Sequence, residues 1–161
     1  FNLAMRAMAG RGVPKQFDVG LRWLRRAVDA QYGPAQLALG DLMMAGNGVA
    51  RDEAGALKLY RLAAEADVAL AQLKLGDALA AGNGLPKNVR LAATWYLRAA
   101  NQNLPEAQYK LGLAAEQGRG MRQHTAVAAE WYRKAAANGH VEARRALDAL
   151  NQRMAAASNR P

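Results

Sequence analysis

Reactive side chains are scarce in this sequence. It holds two histidines (His124 and His140), one serine (Ser158), two threonines (Thr94 and Thr125) and no cysteine. Nucleophilic catalysis needs a hydroxyl or thiol activated by a positioned base, and a single serine in the tail does not supply one. A metal site wants several His, Cys or carboxylate ligands at suitable spacing. His124 falls in an inter-helix loop and His140 at the start of the last helix, where surface and capping roles suit them better. Asp52 and Glu53 are adjacent carboxylates at a helix start, so they read as a cap and a favourable dipole partner. The Gly-x-Gly pairs lack the preceding strand and fuller glycine pattern of a phosphate loop. No catalytic residue, cofactor or metal is therefore expected, and the chain reads as a non-enzyme.

The elements that carry these residues are set by a repeat. Ala35-Gln36-Leu37-Ala38-Leu39-Gly40 runs on to Gly46-Asn47-Gly48, and it returns 36 residues later as Ala71 to Gly84 and again as Ala107 to Gly120. Gly10 and Gly12 hold the same slots as Gly46 and Gly48. Trp23, Leu59, Trp95 and Trp131 share a slot, as do Leu24, Tyr60, Tyr96 and Tyr132, and Ala27, Ala63, Ala99 and Ala135. A fixed period of this size marks a repeat array. Alanine and leucine dominate and β-branched residues are sparse, which favours helix throughout.

Each unit reads as two helices. The first, for example Pro34 to Ala45, opens on a proline suited to its first turn and stops at glycine. The second starts near Asp18, Asp52, Asn88 or Thr125, all capping residue types. Glycine inside a helix costs about 1 kcal/mol relative to alanine, so Gly40, Gly76 and Gly112 imply close helix packing, with Ala63 and Ala99 as the expected facing residues. Trp23, Trp95 and Trp131 are expected to fill the seam between units. The expected domain is 1–154, with units 1–34 (partial), 35–70, 71–106 and 107–142, a capping helix over 140–154 and a frayed tail over 155–161. Because the chain opens at Phe1 inside a unit, it reads as a piece of a longer protein.

Ala-x-x-x-Leu-Gly, Gly-x-Gly and Trp-Tyr-x-x-Ala-Ala together resemble the Sel-like repeat family, a relative of the tetratricopeptide repeat. The nearest copy joins Ala107–Gly120 to Trp131-Tyr132-Arg133-Lys134-Ala135-Ala136. The resemblance implies an all-α, right-handed α-solenoid of tandem antiparallel helix pairs that acts as a scaffold or adaptor for other proteins. The Ala/Arg-rich, cysteine-free composition looks bacterial, and the resemblance favours a periplasmic or envelope location over the cytoplasm.

By analogy with the related geometry, the first helices line a concave groove for a protein or peptide. Helical spacing then selects Met5, Met8, Leu37, Asp41, Met44, Asp77, Glu106, Tyr109, Leu113, Glu116 and Arg145, with Leu73 tending to the core. The formal charge is +9 over 161 residues. Arg22, Arg25, Arg26, Lys58, Arg61, Arg98, Arg133 and Lys134 fall on second helices. They suggest either a solvated face or an alternative function, a basic convex surface for an anionic polymer, a membrane surface or nucleic acid. No nucleic-acid motif supports the last of these. No apolar run approaches the roughly 20 residues that cross a bilayer, so membrane contact would come through a parent protein. Oligomeric state is not legible.

Overall fold

A computed structural model describes residues 1–9 and 16–158 of the chain. The slots of Gly10 and Gly12, and tail residues 159–161, lie outside the described residues. Among those described there are nine helices and no strand: α1 (Asn2–Ala9), α2 (Phe17–Asp29), α3 (Gly33–Ala45), α4 (Glu53–Glu65), α5 (Ala69–Ala81), α6 (Val89–Asn101), α7 (Pro105–Gln117), α8 (Thr125–Ala137) and α9 (Val141–Ser158). Contacts divide the chain into two compact units, Phe1–Leu75 and Gly76–Pro161. The last helix runs on through 155–158, residues expected to fray.

Local chemistry explains the helix limits. α3 ends at Gly46, whose left-handed backbone (φ +67°) lets its N–H reach the Leu42 carbonyl; only glycine adopts that conformation at no steric cost. Asp52 caps α4 by accepting from Gly55 N–H at 2.8 Å, and Asn88 caps α6 by accepting from Leu91 N–H at 3.0 Å. Two expected caps differ. His124, not Thr125, caps α8 through Nδ1, and Asp18 lies within the first turn of α2, whose cap residue Gln16 makes no side-chain bond. Loop residues are pinned as well: the Asp52 N–H donates to Met43 O at 3.0 Å, and the His124 N–H to Ala115 O at 2.8 Å.

Alanine supplies much of each core. In the first unit Ala4, Leu21, Leu24, Ala35 and Leu39 pack together; in the second Ala115, Ala128, Tyr132, Ala135, Ala143 and Leu150 do so. The internal glycines meet tyrosine rings rather than the alanines expected from sequence. A Cβ on Gly40 would lie 2.8 Å from the Tyr60 ring, one on Gly76 2.6 Å from Tyr96, and one on Gly112 2.5 Å from Tyr132. Ala63 and Ala99 are fully buried, but the ring one turn before each of them fills the space that glycine opens. The first repeat solves the same problem differently: Ala4 replaces the glycine, Leu24 replaces the tyrosine, and both are fully buried.

The tryptophans do not fill the seam. Trp23 is 44% exposed, and Trp95 and Trp131 are half-buried. Each holds a cation three residues on, with Arg26 5.1 Å, Arg98 4.9 Å and Lys134 4.3 Å from its ring centre. Adjacent residues on a helix point about 100° apart, so the tyrosine slot turns inward and the tryptophan slot turns to the side. In the second repeat, Leu59 and Leu62 replace the whole aromatic–cation pair. The basic residues of the second helices are all exposed.

Gly40→Ala is expected to destabilise the protein by about 1–3 kcal/mol through overpacking, despite the helix propensity gained. Combining it with Tyr60→Leu should cost less than the sum of the two single changes, because the pair restores the first repeat's solution. Denaturant unfolding of the two single variants and the double variant measures this coupling, and strict additivity would contradict the glycine–ring explanation.

Candidate functional site

The first helices carry the residues singled out from sequence, and their outward slots are bound into a recurring framework. Tyr60 Oη donates to Asp41 at 2.6 Å, and Lys74 Nζ stands 3.0 Å from the same carboxylate. Tyr96 Oη donates to Asp77 at 2.7 Å, with Lys110 Nζ 3.2 Å away. A ring buried against glycine cannot leave its hydroxyl unpaired without cost. The carboxylate accepts that bond, and the lysine of a neighbouring first helix offsets its charge.

The fourth repeat keeps the chemistry and moves the residues. Leu113 occupies the slot of Asp41 and Asp77, and Ala146 the slot of Lys74 and Lys110. One turn later, Glu116 accepts from Tyr132 Oη at 2.5 Å and pairs with Arg153. In the first repeat the corresponding slots are Met5, Leu24 and Ala38, so the acid, the hydroxyl and the base are replaced together by apolar residues.

Burial, followed by the hydrogen bond and negative charge of the neighbouring carboxylate, holds the Tyr60, Tyr96 and Tyr132 hydroxyls well above the usual tyrosine range. Burial pushes the Glu116 carboxyl upward, but bonds from Tyr132 and Arg153 and the Arg153 charge outweigh it, and the group titrates below the ordinary glutamate range.

A second recurring device lies in the Ala-Gln dipeptide. Gln36, Gln72 and Gln108 are buried. Gln72 Nε2 donates to Ala64 O at 3.1 Å and Asp67 Oδ1 at 2.8 Å. Gln108 Nε2 donates to Ala100 O at 3.2 Å, and its Oε1 accepts from Asn138 Nδ2 at 3.1 Å. The bonds to Ala64 and Ala100 tie a first helix to the preceding second helix, and the Asn138 bond ties α7 to the end of the following one, α8. Gln36 Oε1 has no partner, because the slot of Asn138 is Ala66 there.

Of the other singled-out residues, Met5 and Arg145 are exposed, while Met8, Leu37, Met44, Glu106, Tyr109 and Leu113 are half-buried. Leu73 is in the core at 6% exposure. Glu106 lies 2.8 Å from His140 Nε2 and 3.6 Å from Lys110 Nζ. Tyr109 stacks on His140 with ring centres 4.6 Å apart and also neighbours Tyr132 at 5.8 Å. His140 additionally caps α9 through Nδ1, accepting from Ala143 N–H at 3.1 Å. Tyr109 and Glu106 therefore brace the last helix pair. No His, Cys, Asp and Glu cluster able to hold a metal ion occurs among the described residues, and no described helix is long and apolar enough to cross a membrane.

The glycine–tyrosine–carboxylate frame and its period point to one family. A family model described as Sel1 repeat matches residues 1–32, 33–68, 69–104 and 105–140. The chain belongs to the Sel1 repeat family. Those boundaries fall two residues before the ones drawn from sequence alone. A Sel1 repeat protein from Oxalobacter formigenes is 38% identical, with a TM-score of 0.77 over 80% of this chain and 96% of its own. A protective antigen of uropathogenic Escherichia coli displaying the SLR fold is 34% identical, with a TM-score of 0.83 over 91% of this chain and 31% of its own. Helicobacter pylori cysteine rich protein B shares the fold at 21% identity, a TM-score of 0.62 and coverage of 80% of this chain and 92% of its own. No curated protein matches. The fold is thus the Sel1 α-solenoid of tandem helix pairs, a scaffold-type architecture that is generally non-catalytic and generally serves to bind protein partners.

Two measurements probe the frame. Ala66→Asn should give Gln36 Oε1 the donor that Gln108 already has and stabilise the protein by about 1 kcal/mol, seen as a higher denaturation midpoint. Three of the five tyrosines should resist ionisation above pH 10 while the protein stays folded. Because their folded-state values are raised from 10.0, the stability they contribute is complete below pH 10 and is lost as pH rises beyond it. Spectroscopic titration of tyrosinate beside an unfolding curve in alkali tests both parts.

Proposed function

We propose that the chain is a non-catalytic scaffold that holds a segment of a protein partner along its first helices. One observation carries this reading. The glycine, acid, tyrosine and base slots stay constant or change together, whereas two further slots on the same helices vary from repeat to repeat: Phe1, Leu37, Leu73 and Tyr109; Met8, Met44, Ala80 and Glu116. A surface whose only task was to close the solenoid would not need such variety at fixed positions. The exposed or half-buried methionines Met5, Met8 and Met44 offer adaptable apolar contact. Glu116 in the second of these slots also serves the frame, so recognition rests chiefly on the apolar members. An envelope location in a bacterium belongs to the same proposal and follows from the family resemblance.

The test is affinity capture from the source organism with the tagged chain beside a Met5→Ala/Met44→Ala variant, with recovered proteins identified by mass spectrometry. A specific partner should be recovered by the natural sequence and depleted with the variant, while the melting temperature moves by only a few degrees. Equal recovery by both would remove the first helices from partner binding. Tyr109→Ala is a poor substitute, because loss of the His140 stack would disturb the last helix pair.

A further inference from the structure

The second unit contains a cavity of about 650 Å³ between α6, the later part of α7 and the adjoining loops. Its apolar lining includes Val89, Tyr96 and Leu113, and Lys87, Lys110 and Arg119 contribute its cations. Lys110 already holds Asp77 and Glu106. Lys87 and Arg119 are exposed and have no carboxylate partner among the described residues. Gly120 keeps the Arg119 loop in place, since a Cβ there would collide with the Val89 carbonyl.

Comparison with the preceding repeat shows how the cavity acquired this character. The slot of Lys87 is Arg51, which pairs with Glu53. The slot of Glu53 is Val89, so the acid that neutralises the cation one repeat earlier is here an apolar wall. The slot of Asp77 is Leu113. That loss is tolerated because Glu116, one turn on, takes over the Tyr132 hydroxyl with Arg153. Two carboxylates have therefore given way to apolar side chains in one place, and the Arg51 cation survives as Lys87 without its acid.

Resting on the scaffold reading above, we propose that this cavity binds an acidic peptide segment of a partner protein. An aliphatic or aromatic side chain of the segment sits between Val89, Tyr96 and Leu113, and flanking carboxylates meet Lys87 and Arg119. The volume lies within the roughly 300–1,000 Å³ of ordinary ligand pockets, room for one or two side chains. Charge complementarity selects an acidic neighbour, the Arg119 guanidinium can grip a carboxylate with two parallel bonds, and the Lys87 ammonium acts as a point charge.

Fluorescence anisotropy with the full chain tests this using labelled peptides of about a dozen residues: one alternating aspartate and leucine, one alternating lysine and leucine, and polyglutamate, with a single-stranded DNA oligonucleotide alongside. The aspartate–leucine peptide should bind at least about tenfold more tightly than the other three probes. Lys87→Glu/Arg119→Glu and, separately, Leu113→Asp should each weaken it at least about tenfold, a difference of about 1.4 kcal/mol. Lys87 and Arg119 make none of the frame contacts, and Leu113 packs against the Tyr132 cluster, so circular dichroism and the melting temperature check that each variant stays folded. No binding, equal binding of polyglutamate or DNA, or unchanged affinity in the charge-reversed variant would overturn the proposal. The captured partner separates this from the scaffold reading. A partner lost from Met5→Ala/Met44→Ala yet kept by Lys87→Glu/Arg119→Glu leaves the scaffold standing without this pocket, whereas retention by both removes both.

Discussion

A tyrosine ring laid on a glycine, with its hydroxyl held by a carboxylate, is the contact on which the rest of the structure depends. The ring closes the two helices of a repeat, and the carboxylate carries the contact outward to a cation on a neighbouring first helix, as in Asp41–Tyr60–Lys74 and Asp77–Tyr96–Lys110. Packing inside a repeat and cohesion beyond it thus share one group of atoms. The parts also depend on one another. A glycine without the ring leaves a cavity, a ring without the acid leaves a buried hydroxyl, and an acid without the base leaves an unbalanced charge. The first repeat, which replaces all of them by Ala4, Leu24, Met5 and Ala38, is the counterpart that this dependence requires.

Much of the fold was legible because its signals are local. Period, helix-stopping glycines and capping side chains act within a few residues, and they placed α3 and the starts of α4, α6 and α8 to within one residue. The site was less legible because its contacts join residues far apart in the chain. Lys74 meets Asp41 across 33 positions, and periodicity alone does not say which pairs of helices meet at which height. The tryptophan and tyrosine slots are adjacent, and hydrophobicity favours the larger ring for the core. Geometry chose the tyrosine, because its hydroxyl has an acceptor waiting, and left the indole beside a cation on the surface. The alanines expected opposite the glycines are buried, but one turn away from the contact.

A usable signal was nonetheless present. Aligned slot by slot, the repeats change glycine, acid, tyrosine and base together in the first repeat, and acid and base together in the fourth. Joint replacement among repeats of one chain indicates spatial contact in the same way that joint replacement among relatives does. The Ala-Gln dipeptide carried a similar message: a glutamine kept at a position flanked by buried alanine has a bonding task, and the structure supplies it at the end of the preceding helix.

The one-turn displacement of the acid in the fourth repeat bears on how such arrays are idealised. Averaging the repeats slot by slot would return an aspartate to position 113, since Asp41 and Asp77 hold that slot in the two preceding repeats. The averaged array would set an aspartate beside Tyr132 as in the two preceding repeats and would look the more regular member of its family. It would also line the apolar cavity of the second unit with a new charge. Regularity and individuality in this chain are stored at different positions on the same helices, and a procedure that rewards the first erases the second.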